Sequence, residues 1–144
     1  MEIKLVHTPD TPIVSVREHI AIENFGALIG KAFALLQKTG ATCVGSPITI
    51  YHSPQIHLEG TDLEVGFPVR PADNFTRILK GCLCASGLHK GAYSRLPQTY
   101  KQICEWVRQN GYAISGAFFE IYLNDPRELP PQELITGICI PIRK

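Results

Sequence analysis

The sequence predicts an α+β domain made of a duplicated β-α-β-β unit. Three observations predict it: an internal repeat, the same order of extended and helical patterns in both halves, and glycines that punctuate both halves at matching places. The segment Leu36–Tyr51 aligns with Val107–Tyr122 at an offset of 71 residues, and Gly40 and Gly111, Gly45 and Gly116, Ile50 and Ile121, Tyr51 and Tyr122 coincide. Further on, Phe67-Pro68-Val69 matches Ile140-Pro141-Ile142 at an offset of 73. The change of offset falls in a loop, where insertions are tolerated.

The first half, about residues 1–72, opens with the extended segment Ile13–Arg17. A helix is predicted over about Phe25–Lys38, because Leu28, Ala32, Leu35 and Leu36 recur at helical spacing. Gly40 stops it, since glycine adopts the left-handed conformation cheaply. Strands follow at Ile48–Tyr51 and Leu63–Val69, and Pro54 marks the loop between them. The second half, about residues 73–144, repeats the order. An extended segment runs from Leu79 to Leu88. A helix runs from Leu96 to Gln109 with the stripe Leu96, Tyr100, Ile103 and Val107, and Gly111 follows it. Strands are predicted at Ala117–Leu123 and Leu134–Ile142, with Pro126, Pro130 and Pro131 in the loop. One helix on a small sheet buries too little apolar surface alone, so the halves are expected to form one domain over 1–144.

Composition narrows the function classes. The chain has 144 residues, 44% of them hydrophobic and 19% charged, an ordinary globular balance. Fourteen Lys and Arg against 13 Asp and Glu leave no basic excess for nucleic acid, so no direct nucleic-acid partner is expected. The apolar runs fall short of the roughly 18 residues of a membrane span, so no membrane association is expected. Glu2, Lys4, Pro9, Asp10 and Pro12 break up any signal-peptide core, and the expected location is cytoplasmic. The five cysteines, Cys43, Cys82, Cys84, Cys104 and Cys139, are an odd number and read as reduced, mostly buried residues. Cys82-Leu83-Cys84 lacks the spacer of zinc and redox motifs, and His7, His19, His52 and His57 show no ligand spacing. No metal and no cofactor is therefore predicted. Walker A, G-x-G-x-x-G and G-x-S-x-G patterns do not occur, which removes the common nucleotide and hydrolase signatures.

Glu120 is the sharpest chemical feature. It sits inside the apolar run Phe118-Phe119-Glu120-Ile121-Tyr122, and strand alternation puts Phe118, Glu120 and Tyr122 on one face. A carboxylate there is costly unless it is paired, hydrated or facing a cleft. Two readings stand: a ligand-facing acid, or a glutamate on the solvent face of an amphipathic strand. Across the repeat, Glu120 corresponds to Thr49 and Tyr122 to Tyr51, giving two tyrosines and a single acid. Phe67 lies on the last strand of the first half and is a further candidate. Glu64, in the alternating Asp62–Gly66, is read either as solvent-facing or at a cleft rim.

The run His89-Lys90-Gly91-Ala92-Tyr93, then Trp106, Gly111-Tyr112, Gly116 and Glu120-Ile121-Tyr122-Leu123-Asn124-Asp125-Pro126, resembles the second half of GyrI-like effector-binding domains. A weaker echo runs through Gly45, Tyr51-His52 and Leu63–Val69 of the first half. The resemblance implies an SHS2-type tandem: a curved antiparallel sheet, two main helices on one side, and a ligand cleft on a pseudo-twofold axis. It implies a partner that is a small hydrophobic or cationic aromatic molecule, held by aromatic side chains and one glutamate. Such domains serve multidrug-responsive activators of the MerR and AraC classes. This chain begins at the effector domain, so it is expected to act by sequestration or sensing. The implied ligand set is Glu120, Tyr122, Tyr51, Tyr93, Phe118, Phe67 and Trp106, with His89 and Trp106 also open to structural roles. Two alternatives follow from other branches of the family. One is a hydrolase of cyclopropane-bearing natural products with Glu120 as the catalytic residue. The other is a protein-interaction module such as a gyrase modulator.

Overall fold

The computed structural model describes residues 1–21, 24–53, 60–70 and 76–144; Pro54 and His57 lie outside them. In chain order the elements are β1 (Ile3–His7), β2 (Thr11–Ile20), α1 (Phe25–Thr39), β3 (Thr42–Cys43), β4 (Ile48–Tyr51), β5 (Thr61–Arg70), β6 (Arg77–Leu79), β7 (Leu83–Lys90), α2 (Leu96–Gln109), β8 (Ala113–Ile114), β9 (Phe118–Tyr122) and β10 (Ile135–Arg143). The class is α+β, as the repeat predicts, with the two main helices and all eight predicted extended or helical segments represented by elements.

The chain divides into two compact units, Pro9–Gly81 and Met1–Thr8 with Cys82–Lys144. In the first, β4, β5, β2 and β6 pair antiparallel in that order, and β3 adds to β5. Alternation along β5 turns Leu63, Val65, Phe67 and Val69 to one face, where they meet Leu28, Ala32 and Leu36 of α1. The four-residue spacing of those helix residues makes the stripe that lies against the sheet. In the second unit the order is β1, β7, β10, β9, with β8 on β10. Ile138, Ile140 and Ile142 of β10 pack with Ala85 of β7 against Leu96, Ile103 and Val107 of α2.

The edges of the elements show where local chemistry overrides the pattern. The predicted extended run Leu79–Leu88 is two strands, β6 and β7, in different units. Between them the Gly81 amide donates to Asp10 Oδ1 at 2.7 Å and the Cys82 amide to Thr8 Oγ1 at 3.0 Å. Side chains thus take the backbone donors that would have continued a ladder. β1 was not predicted, and it completes the second unit by pairing Ile3 with Gly87 through His7 with Leu83.

Two pairs of glycines explain the repeat physically. Gly40 and Gly111 close the two helices with φ of 69° and 78°, a conformation that penalises any side chain. Gly45 and Gly116 lie under the repeat's prolines. A Cβ at Gly45 would come within 3.2 Å of Pro68, and one at Gly116 within 3.3 Å of Pro141. Glycines that meet no such constraint behave differently: Gly30 is exposed within α1 and a Cβ there meets open space. Gly30→Ala should therefore raise the unfolding free energy by about 0.5–1 kcal/mol, and Gly40→Ala should lower it by about 1 kcal/mol. Urea denaturation of the two variants reads both signs.

Candidate functional site

In the second unit Glu120 stands on the helix-facing side of β9, across from Ile138 of β10, and is 2% exposed. Its Oε2 accepts a hydrogen bond from the Tyr100 hydroxyl at 2.5 Å, and its Oε1 accepts one from the Tyr122 hydroxyl at 2.9 Å. Tyr122 is two residues along the same strand and so shares the face of Glu120. Tyr100 comes from α2, one turn after Leu96, on the stripe that the sheet covers. Hydrogen bonds to a charged acceptor contribute about 1.5–3 kcal/mol each and offset the desolvation of the carboxylate.

Aromatic rings surround this pair of bonds. Tyr100 stacks on Phe118 with ring centroids 5.7 Å apart and an interplanar angle of 15°. Tyr122 meets Tyr93 at 5.8 Å and 59°. Tyr93 is 36% exposed and forms the solvent-reaching member of the set. Burial pushes the Tyr93 phenol above its usual value, and the negative charges of Glu120 and Asp125 push it further.

Thr136 adds a polar group on the same side. It pairs with Tyr122 across β9–β10, is fully buried, and its hydroxyl finds no hydrogen-bond partner among the described residues. Neither Tyr100 nor Thr136 was predicted as a site residue. The available signal for Tyr100 was a hydroxyl on the buried stripe of a helix, which requires an acceptor, with one carboxylate on a facing strand. Thr136 gives no comparable signal, because a threonine in a strand is ordinary.

The other predicted residues take these places. Trp106 lies on α2 against the second unit's core and stacks on Tyr112 at 6.2 Å and 6°. Tyr51 and Phe67 belong to the first unit. Tyr51 packs against the α1 core, and Phe67 lies within it, edge-on to Phe33 at 6.2 Å. His89 is a structural pin. Its Nε2 donates to the Ala92 carbonyl at 2.9 Å, and its Nδ1 lies 2.6 Å from the Thr99 hydroxyl, tying β7 to α2. Of the cysteines, Cys84 and Cys139 are buried whereas Cys43 is exposed. Among the described residues no group of three His, Cys, Asp or Glu is arranged to hold a metal ion. No described helix is long and apolar enough to cross a membrane.

Glu64 departs from the alternation that read it as solvent-facing or at a rim. It is 3% exposed, because Arg77 reaches over it with Nε to Oε2 and Nη2 to Oε1, both at 2.6 Å. Ser15 donates to Oε2 at 2.5 Å and His52 Nε2 lies 2.8 Å from Oε1. Burial alone would raise its carboxyl. The hydrogen bonds from Arg77, Ser15 and His52 outweigh that and hold it at about 2.

The family model of the GyrI-like small molecule binding domain matches residues 1–143. Among curated proteins no sequence matches the chain. Among solved structures, the C-terminal domain of EcmrR is similar with a TM-score of 0.91 at 21% identity, covering 99% of this chain and 98% of that one. In the EcmrR–DNA complex the match covers 57% of the EcmrR chain, at 21% identity and a TM-score of 0.87, so this chain spans little more than half of that protein. A hydrolase from Listeria innocua is similar with a TM-score of 0.74 at 14% identity, over 99% of this chain and 92% of that one. SAV2435 bound to tetraphenylphosphonium gives 0.65 at 15%, over 99% and 94%.

Because the folded state holds the Glu64 carboxyl below its ordinary 4.5, its contribution to stability is present above that pH and is lost as pH falls toward about 2. Glu64→Gln should destabilise the protein at neutral pH and flatten the fall in stability across this acid window. Denaturation midpoints measured at successive pH values test both effects.

Proposed function

The chain belongs to the GyrI-like small molecule binding domain family, and from that premise we propose that it captures cationic or aromatic organic molecules at Glu120, by sequestration or sensing. The observation that carries the reading is a buried carboxylate that accepts hydrogen bonds from two phenols and is ringed by Phe118, Tyr93 and Tyr122. Phenols stabilise the anion without bringing a formal positive charge of their own. After burial, the charge of Glu120 is among the causes that raise the Tyr93 phenol. A delocalised cation has a small hydration cost, gains attraction to the acid in a site of low dielectric, and adds cation–π contacts of about 0.5–2 kcal/mol with each ring face. The Thr136 hydroxyl supplies one directional contact for a polar ligand atom. On α2, Trp106 is a further proposed ligand-contacting residue. The structure of SAV2435 with a lipophilic phosphonium supports this chemistry within the fold.

A second reading is hydrolysis, supported by the similar fold of the Listeria innocua hydrolase and by the burial of Glu120, which suits a general base. In that reading Glu120 takes a proton from water as the water oxygen bonds to an electrophilic cyclopropane carbon; the ring C–C bond breaks, its electron pair passes to the substrate's own electron-withdrawing group and is protonated from Glu120 or solvent, and Tyr93 positions the substrate. The two readings separate on turnover.

With tetraphenylphosphonium as probe, calorimetry should show saturable binding to the wild type. Glu120→Gln should weaken it roughly tenfold or more, equivalent to about 1.4 kcal/mol. Unchanged affinity in that variant sinks the capture reading. Product formation from an electrophilic cyclopropane, dependent on protein and lost in Glu120→Gln, establishes the second reading instead. Thr136→Val tests the remaining polar contact. It should raise stability by about 1 kcal/mol, by removing a buried unbonded hydroxyl, while weakening those ligands that carry a hydrogen-bonding group.

A further inference from the structure

We propose that the outer edge of β1 pairs antiparallel with β1 of a second copy of this chain, about a twofold axis at Ile3. The inference is independent of the ligand reading. It starts from the direction of the backbone groups. Among the described residues β1 is the terminal strand of its sheet, with β7 on its inner side. The Thr8 amide donates to the Cys82 carbonyl at 2.9 Å, and on the far side of β7 the Gly91 amide donates to the Leu134 carbonyl at 2.8 Å. Antiparallel ladders alternate, so the even-numbered residues of β1 direct their N–H and C=O groups toward β7. The odd-numbered residues, Ile3, Leu5 and His7, direct theirs outward. A second strand can therefore hydrogen-bond to β1 only in registers that place odd residues opposite odd residues.

Charge selects among those registers. Centring the axis on Ile3 places Ile3 opposite Ile3 and Leu5 opposite Met1. It also places Glu2 of each copy across from Lys4 of the other. These charged residues occupy the non-hydrogen-bonded positions, where opposed Cα atoms lie only about 4.5 Å apart. Opposite charges directly across such a pair are favourable. Centring on Lys4 instead opposes two lysines at the same close spacing. Centring on Leu5 leaves both charges without a partner of opposite sign. The strand is self-complementary only in the first arrangement. Within one copy Glu2 and Lys4 approach to 3.8 Å with both side chains well exposed, a weak contact that the intermolecular pairs replace.

Apolar surface points the same way. Met1 is 57% exposed and Leu5 46%, and the Ile3-centred register lays each of them against the other across the axis. On the opposite face Val6 and the exposed Leu88 flank the charged pair along a shallow groove shared with Ser86. An edge strand of mixed apolar and charged residues with a dyad-symmetric charge pattern is the kind of surface that an isologous interface uses.

Sedimentation velocity on the wild-type chain across a dilution series, at low and high salt, should show a monomer–dimer equilibrium that salt weakens. Lys4→Glu opposes two acids and should raise the dissociation constant roughly tenfold or more. The double reversal Glu2→Lys with Lys4→Glu should restore it. Leu5→Pro removes an outward donor while leaving the β7 ladder intact, so it should give a monomer with an unchanged circular dichroism spectrum and denaturation midpoint. A wild-type chain that stays monomeric at the highest concentration overturns the proposal. So does a dimer that tolerates both Lys4→Glu and Leu5→Pro. A double reversal that remains monomeric overturns the Ile3-centred register.

Discussion

A carboxylate removed from water must be hydrogen-bonded, and in the second unit this requirement ties helix to sheet. Glu120 is buried in β9, and the donors that hold it come from two places, Tyr122 two residues along the strand and Tyr100 on α2. The strand donor comes with the twofold periodicity. The helix donor requires α2 to present Tyr100 on the same stripe as Leu96, Ile103 and Val107, and to sit over β9 and β10 at a fixed rotation. The His89 pin on Thr99 sets where that helix begins, and Gly111 follows its end. A shift of one residue in α2 would turn Tyr100 by about 100° and leave the acid without its donor.

The two buried glutamates accept hydrogen bonds from different groups. Glu64 is covered by a guanidinium that contacts both of its oxygens, with a serine and a histidine beside it. Its charge is answered locally, and the cluster contributes to the stability of the first unit. Glu120 accepts hydrogen bonds from the hydroxyls of Tyr100 and Tyr122. The proposed capture of a small molecule is placed at this second acid.

Much of the architecture was legible because periodicity and punctuation agree. The stripes Leu28–Ala32–Leu36 and Leu96–Tyr100–Ile103–Val107, each followed by a glycine, specify two helices of the right extent. Gly45 and Gly116 recur because Pro68 and Pro141 lie against them. β1 was not legible, since Ile3-Lys-Leu-Val-His7 has no clean alternation and its partner is 76 or more residues away. The gap between β6 and β7 was hidden because its cause is the Asp10 and Thr8 side chains, remote in sequence. At the site, Glu120, Tyr122, Phe118 and Tyr93 were visible from strand alternation and the family resemblance. Tyr100 was visible only as core, because sequence spacing shows which face a residue takes but not which atom its hydroxyl reaches. Glu64 misled for the converse reason: a polar residue between apolar neighbours reads as solvent-facing unless its covering arginine is known.

The placement of β1 also orders events in time. Pro9–Gly81 is contiguous, so its strands and helix can assemble as soon as that stretch is complete. The other unit joins two separate stretches, Met1–Thr8 and Cys82–Lys144, on either side of it. At about 5–20 residues per second, Ile3–His7 leaves the ribosome many seconds before β7 exists to receive it. During that interval a short strand with exposed apolar residues is without its partner strand. Closing so long a loop is entropically slow compared with forming the local helix–strand contacts. β1 is thus among the last segments to reach its place.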